Sequence, residues 1–249
     1  MTENTVPLPP AGWFPDPEVP GQMRWWDGVQ WQASRAPQRR PLGKDFGRLG
    51  RALVILLGLH GAFYLVTFGL YTWGVSPLAD ACDGATWIQS PGIFDVIELS
   101  AGVLSWISLL ACIVVWCLWQ FQLAQSTLRG SVRRSPGMHV GSWFIPIVFW
   151  WFPYQNMKDL WQVYVSRVNL SPLGWWWTLW LVANFFSNGF GRFLWRSDDD
   201  DLSFHAYNVL GLIESAMWLV CTAFAIRIVQ RLTRRALARE GEDATALPA

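Results

Sequence analysis

The chain has 249 residues, of which 52% are hydrophobic and 15% charged, and it carries 19 Trp against a net charge of +1. Such a Trp content excludes an ordinary soluble domain, because Trp at this density suits a membrane interface, where the ring is buried and the indole N–H stays wet. The near-zero net charge gives no footprint for nucleic acid, and the apolar residues fall in blocks of about twenty or more, as spanning helices require.

Charge is unevenly placed. All but Lys44 and Lys158 of the 19 basic residues are Arg, most of them within residues 24–51, 129–134 and 227–239. Basic loops stay on the cytoplasmic side. Membrane orientation therefore accounts for the patches, and no nucleic-acid partner is expected.

Taken in order, residues 1–11 read as a short disordered lead, and residues 1–45 lack the apolar stretch of a signal peptide. Residues 12–33 read as a small cytoplasmic module. Asp27-Gly28 signals a two-residue hairpin turn between strands at 23–26 and 29–32, with Pro15 and Pro17 stiffening the entry. Trp13, Trp25 or Trp26, and Trp31 are expected to stack into a minimal core. Trp13, Trp26 and Trp31 are the candidate contacts for a cytoplasmic protein partner, in the manner of modules that bind Pro-rich peptides. The alternative is that these rings only hold the mini-fold together or pin it to lipid headgroups. Residues 34–48 form a basic linker drawn to anionic lipid.

Four spans are expected, at about 49–73, 93–119, 173–194 and 205–229. The first carries His60. The second carries Glu98, has Gly102, Ser105 and Ser108 as a small packing face, and continues as an amphipathic extension to Leu128. The third opens with Trp175, Trp176, Trp177 and Trp180 as an interfacial belt and carries Asn184 and Asn188. The fourth carries Glu214. Residues 74–92 and the acids Asp198 to Asp201 read as outer loops, and 236–249 as a disordered tail. Cys112, Cys117 and Cys221 read as small hydrophobes and Cys82 as unpaired, so no disulfide framework is expected.

Residues 141–161 organise the rest. The stretch is apolar enough to enter a bilayer, but Pro146 and Pro153 break any continuous helix. A span needs roughly 20 residues, more than this stretch offers between its breakers. It therefore re-enters or lies in the interface, followed by an interfacial helix to residue 168 with Met157, Leu160, Trp161, Tyr164 and Val168 on one face and Lys158, Asp159 and Arg167 elsewhere. Parity then puts both termini in the cytoplasm of a bacterial plasma membrane. A crossing at 141–153 would give five spans and leave the C-terminal Arg cluster outside, against the charge rule.

His60, Glu98, Asn184, Asn188 and Glu214 are candidate intramembrane site residues, since polar groups in such helices face a bundle interior or a wet cavity. The sharpest form of the idea is an outer cavity shared by Glu98 and Glu214, with Arg192 as counter-charge; the alternative is plain interhelical hydrogen bonding. No catalytic residue, metal site or cofactor is expected. The three His are far apart, and no Gly-rich phosphate loop, Cys pair or nucleophile elbow appears. The expected class is thus an all-α membrane protein with a small aromatic β-hairpin module, acting in interaction or as a scaffold. The alternative is a small channel or carrier, which with so few spans would need a homo-oligomer.

Two resemblances bear on this. Gly12-Trp13-Phe14-Pro15-Asp16-Pro17, then Arg24-Trp25-Trp26-Asp27-Gly28 and Trp31, resembles the short module called domain of unknown function 2510. This implies a place near the N-terminus of an actinobacterial membrane protein. Ser135-Pro136-Gly137 through Trp143-Phe144-Ile145-Pro146, Pro153 and Leu160-Trp161, with Trp175-Trp176 and Leu179-Trp180, resembles domain of unknown function 4328 over about residues 50–235. That family commonly has Asn between the two Pro residues; here residues 147–152 are all apolar. The second resemblance implies the architecture and no activity.

Overall fold

The computed structural model describes residues 9–18, 23–35, 40–74, 93–128, 130–187 and 200–245. The N-terminal module is a three-stranded antiparallel sheet, β1 (Gly12–Pro15), β2 (Met23–Trp26) and β3 (Trp31–Arg35), in the order β1-β2-β3. It has one strand more than the expected hairpin. The Gly12-Trp13-Phe14-Pro15 stretch pairs with β2, with its Pro at the end of an edge strand, where the missing N–H costs no ladder bond. The turn also differs. Trp26 pairs with Trp31, so residues 27–30 form the loop and Val29 is not in a strand. The cause is Asp27, whose Oδ1 accepts the N–H groups of Val29 and Gln30 at 2.8 Å each. Gly28 supplies the positive φ, at 101°.

The helical part consists of α1 (Phe46–Gly74), α2 (Ile93–Gln125), α3 (Pro136–Gly141), a 3-10 turn (Val148–Trp150), α4 (Phe152–Tyr164), α5 (Ser171–Phe185) and α6 (Asp200–Thr245). Three stretches are long and apolar enough to cross a membrane: Phe46–Thr72, Gly102–Gln125 and Asn208–Glu242. The fourth expected span is described only as the 15 residues of α5 and a π turn at 186–187; residues 188–194 lie outside the described residues.

Helix α1 packs antiparallel to α6, and small residues set the distance. A Cβ on Gly50 would sit 2.7 Å from the Thr233 side chain, and one on Gly211 would sit 2.6 Å from the Tyr71 ring. Close approach by small residues gives dispersion contacts that lipid tails cannot supply. Gly102 does not serve this purpose, because nothing lies within 4 Å of the position of its Cβ.

Several expected boundaries move. Helix α6 is described from Asp200, before His205, so Asp200 and Asp201 belong to a helix and not to a loop; Asp198 and Asp199 are not described. The same helix runs to Thr245, so 236–245 is helical where a disordered tail was expected. Ala236 is buried at 1%, and Glu240 Oε1 accepts the Leu42 N–H at 2.9 Å. The end of the linker is thereby packed onto protein. Phe46 is fully buried. Of the loop expected at 74–92, Gly74 is the last residue of α1, and 75–92, with Cys82, lie outside the described residues.

Between α3 and α4 the chain doubles back. Ile147 has φ 70° and ψ −56°, and the Val148 N–H reaches the Pro146 carbonyl at 2.8 Å. This is a γ-turn in its strained, positive-φ form, at a β-branched residue. Pro146 lacks the N–H that would continue a helix, so the reversal falls here.

Helix α4 keeps Met157, Leu160, Trp161 and Tyr164 on one buried face, as the pattern required. That face meets protein, packing into the core with Leu123, Ile228 and Leu232. Val168 is 93% exposed and lies beyond the helix, and Asp159, expected on a wet face, is 4% exposed. Trp176 and Trp177 are likewise buried, so of the Trp175-Trp176-Trp177 run only Trp175 points outward like a belt residue.

Candidate functional site

Three regions hold the candidate residues. The first is the aromatic module. Because side chains alternate along a strand, Trp13 and Trp25, opposite each other in the register, share one face. Their rings meet edge to face at 5.3 Å. Phe14, Trp26 and Trp31 share the other, with Trp26–Trp31 at 5.2 Å and Phe14–Trp31 at 6.4 Å. The three candidate contacts are thus divided: Trp26 and Trp31 lie together, and Trp13 lies behind them. The Trp26 indole N–H donates to the Pro9 carbonyl at 3.0 Å. Arg24 is held beside this face by Glu18 at 3.0 Å and by the Gln32 carbonyl at 2.6 Å.

The second is the line of polar groups inside the bundle. His60 Nδ1 meets Ser108 Oγ at 2.9 Å, joining α1 to α2. Thr67 meets Ser215 at 3.2 Å, joining α1 to α6. Ser187 donates to Glu214 Oε1 at 2.5 Å, and the Trp218 indole N–H reaches Ser187 at 3.4 Å. His60 meets Tyr64 edge to face at 5.1 Å, and Tyr64 stacks on Trp218 at 5.7 Å, which links the first of these pairs to the last. Asn184 donates to the Trp180 carbonyl one turn back in its own helix. Asn188, Arg192 and the Glu98 side chain lie outside the described residues. The structure thus brings His60 and Glu214 onto one connected line and leaves the Glu98 half of the expected cavity unaddressed.

The third region is at the basic end of the bundle, and most of its residues are not among those expected from the sequence. Gln120 and Asn156 are both fully buried and act as hubs. Gln120 Oε1 accepts the indole N–H groups of Trp116 and Trp143 at 2.9 Å each, and its amide donates to the His139 carbonyl at 3.2 Å. Asn156 donates to Ser142 Oγ at 2.9 Å and to the Met138 carbonyl at 3.3 Å. Its own oxygen accepts from Arg134 at 3.1 Å. Arg134 also reaches Gln155 Oε1 at 2.6 Å and lies 3.6 Å over the Phe152 ring. Asp159 is clamped by Arg133, through Nε at 3.2 Å and the backbone N–H at 3.1 Å. Arg133 and Arg134 thus latch α4 onto the turn before α3, a role beyond orientation.

Aromatic rings complete this region. Trp143 meets Trp116, Trp177 and Trp180 at 5.9–6.1 Å, and Trp177 stacks on Trp180 at 4.8 Å. Trp116 lies nine residues before the end of α2, so Trp143 sits about 13 Å along that helix from its basic end at 1.5 Å per residue. Beyond it the tip is apolar and exposed, with Phe144 at 63% and Ile147 at 71%. Pro146 is exposed at this tip, whereas Pro153 is buried in the first turn of α4.

His139 is fully buried, and neither ring nitrogen has a hydrogen-bond partner among the described residues. Burial pushes its pKa down to about 4; nearby Asp159 opposes the shift and Arg134 adds to it. Among the described residues, no group of three or more His, Cys, Asp or Glu is placed to hold a metal.

No curated protein and no solved structure matches this chain. Two family models do. Protein of unknown function (DUF2510) matches residues 11–42, which enclose the three-stranded sheet. Domain of unknown function (DUF4328) matches residues 89–234, which run from just before α2 into α6. As that second match covers more than half of the 249 residues, the chain belongs to the DUF4328 family.

Proposed function

We propose that this protein is a multi-pass protein of a bacterial plasma membrane that presents its Trp-rich sheet to a cytoplasmic protein partner, as an interaction or scaffold protein and not as an enzyme. In this reading α1, α2 and α6 cross the bilayer, α5 completes a fourth span through residues 188–194, and residues 141–153 re-enter from the cytoplasmic side. The basic residues at the end of α6 and in the loop before α3 support that orientation, with both termini inside. The γ-turn at Ile147 and the apolar tip support re-entry.

The observation that carries the docking role is the hydrogen bond from the Trp26 indole to the Pro9 carbonyl. An indole N–H beside a second ring is how Pro-rich segments are held, through a carbonyl and a ring-faced Pro. Here the chain's own Pro9-Pro10 occupies the donor. The test is binding of a labelled Pro-rich peptide to the full chain in mild detergent. Trp26→Ala and Trp31→Ala should each weaken it about tenfold, the order expected for losing a hydrogen bond and a stacked ring. Trp13→Ala should leave it nearly unchanged, and removal of residues 1–40 should abolish it. Equal loss in all three Trp variants, or binding that survives the truncation, would overturn the reading.

A second reading, a small channel or carrier, draws support from the connected line Ser108–His60–Tyr64–Trp218–Ser187–Glu214. Ion flux in liposomes that disappears in Glu214→Gln and Glu98→Gln would favour it.

A further inference from the structure

Beside α6 lies a cavity that neither family match nor the module explains. It has a volume of about 80 Å³ and is lined by Trp161, Pro172, Phe224, Arg227, Ile228 and Arg231. Arg227 and Arg231 are one helical turn apart, so their side chains leave the same face of α6. Both are exposed. Among the described residues neither forms an ion pair, and no carboxylate lines the cavity.

Asp159 on α4 is engaged by Arg133, and Glu240 on α6 by the Leu42 N–H. Trp161 is 1% exposed and spends its indole N–H on the Asn169 carbonyl at 2.8 Å, so it offers the cavity a flat apolar wall. The site therefore combines two guanidinium groups with a wall that is otherwise apolar.

We propose that this cavity binds a phosphate group, and that its source is the headgroup of an anionic phospholipid. Guanidinium forks match phosphate oxygens in charge and geometry. The cavity lies where α5 begins and where the first Arg residues of α6 follow its most apolar stretch. Basic pockets beside spanning helices hold lipid headgroups for this reason. Farther along the two helices, Val220 on α6 is 49% exposed and Trp175 on α5 is 67% exposed, giving the acyl chains apolar surface to follow.

The test uses the full chain purified in neutral detergent and native mass spectrometry. The probes are phosphatidylglycerol, phosphatidylcholine and inorganic phosphate. Retention of phosphatidylglycerol should fall at least tenfold in R227Q/R231Q. It should hold in R234Q/R235Q, which removes the same charge from the same helix outside the cavity. Thermal unfolding of both variants checks that each still folds. A preference for phosphatidylglycerol over phosphatidylcholine that millimolar phosphate does not reverse assigns the site to lipid. Displacement by millimolar phosphate would keep the phosphate chemistry and overturn the lipid source. Equal loss in both double variants, or no loss in R227Q/R231Q, would overturn the site itself.

Discussion

At the basic end of the bundle, Gln120, Asn156 and the Arg133–Arg134 pair tie α2, α3 and α4 together in one continuous network. In the middle of the bundle polar groups meet mostly in pairs, His60 with Ser108 and Thr67 with Ser215. The difference follows from solvent. In lipid, a lone polar pair still has partners available within the helices when it is broken, so each pair contributes little. In the network, each buried group has several dependants, and removing one strands the others. The basic end should therefore respond sharply to single substitutions and the middle weakly.

The largest effect is expected at Asn156. Asn156→Ala removes one partner each from Ser142, the Met138 carbonyl and Arg134 inside a buried site, and should cost about 2–4 kcal/mol. Thermal unfolding in mild detergent measures this, and a loss no larger than that of a surface substitution would contradict the network. A comparable effect comes from pH. His139 is neutral in the folded protein down to about 4, while an unfolded His takes up its proton near 6.5. As pH falls between those values the unfolded state binds more protons, so stability falls with it, by on the order of 3 kcal/mol in total. Above 6.5 the group contributes no slope. His139→Gln should flatten this acid limb, and an unchanged limb would show that other groups cause it.

Helix contact between α1 and α6 is steric. Gly50→Ala puts a methyl 2.7 Å from Thr233, and overpacking of this kind costs about 1–3 kcal/mol. The double variant Gly50→Ala with Thr233→Ser should recover part of the loss, which distinguishes crowding from a change in helix propensity. The smallest effect is at Ser108→Ala, which removes the His60 partner. Interhelical hydrogen bonds of this type average about 0.6 kcal/mol, so a loss above about 2 kcal/mol would put His60 in a larger network than the one described.

Apolar length and Pro breaks made three long apolar helices, the interruption at 141–153 and the apolar face of α4 legible in the sequence, whereas the fourth expected span is described only in part and the α4 face packs on protein instead of lying in the interface. Hydrophobic period and the missing N–H act locally, so a single chain segment carries the signal. The two faces of the module were not legible. Which Trp sits behind which depends on the pairing of Trp13 with Trp25, and the third strand forms only once Gly12–Pro15 meets β2. The roles of Arg133, Arg134 and Asp159 were hidden for another reason. Membrane orientation is a sufficient account of clustered Arg, so nothing drew attention to their partners. The signal was present on α4, where Asn156 and Asp159 fall on the apolar side of the helix together with Met157 and Leu160. Polar residues on a buried face call for partners.

In the re-entrant architecture the chain enters and leaves residues 136–165 on the same side of the membrane. Ser131 and Val168 flank that stretch, and both are exposed. In a background with the four cysteines replaced, Ser131→Cys and Val168→Cys should both react with a membrane-impermeant maleimide in inside-out vesicles and both resist it in intact cells. Labelling of one position from each side would mean that residues 136–165 cross the bilayer, and would contradict the re-entrant architecture and the shared cytoplasmic placement of both termini.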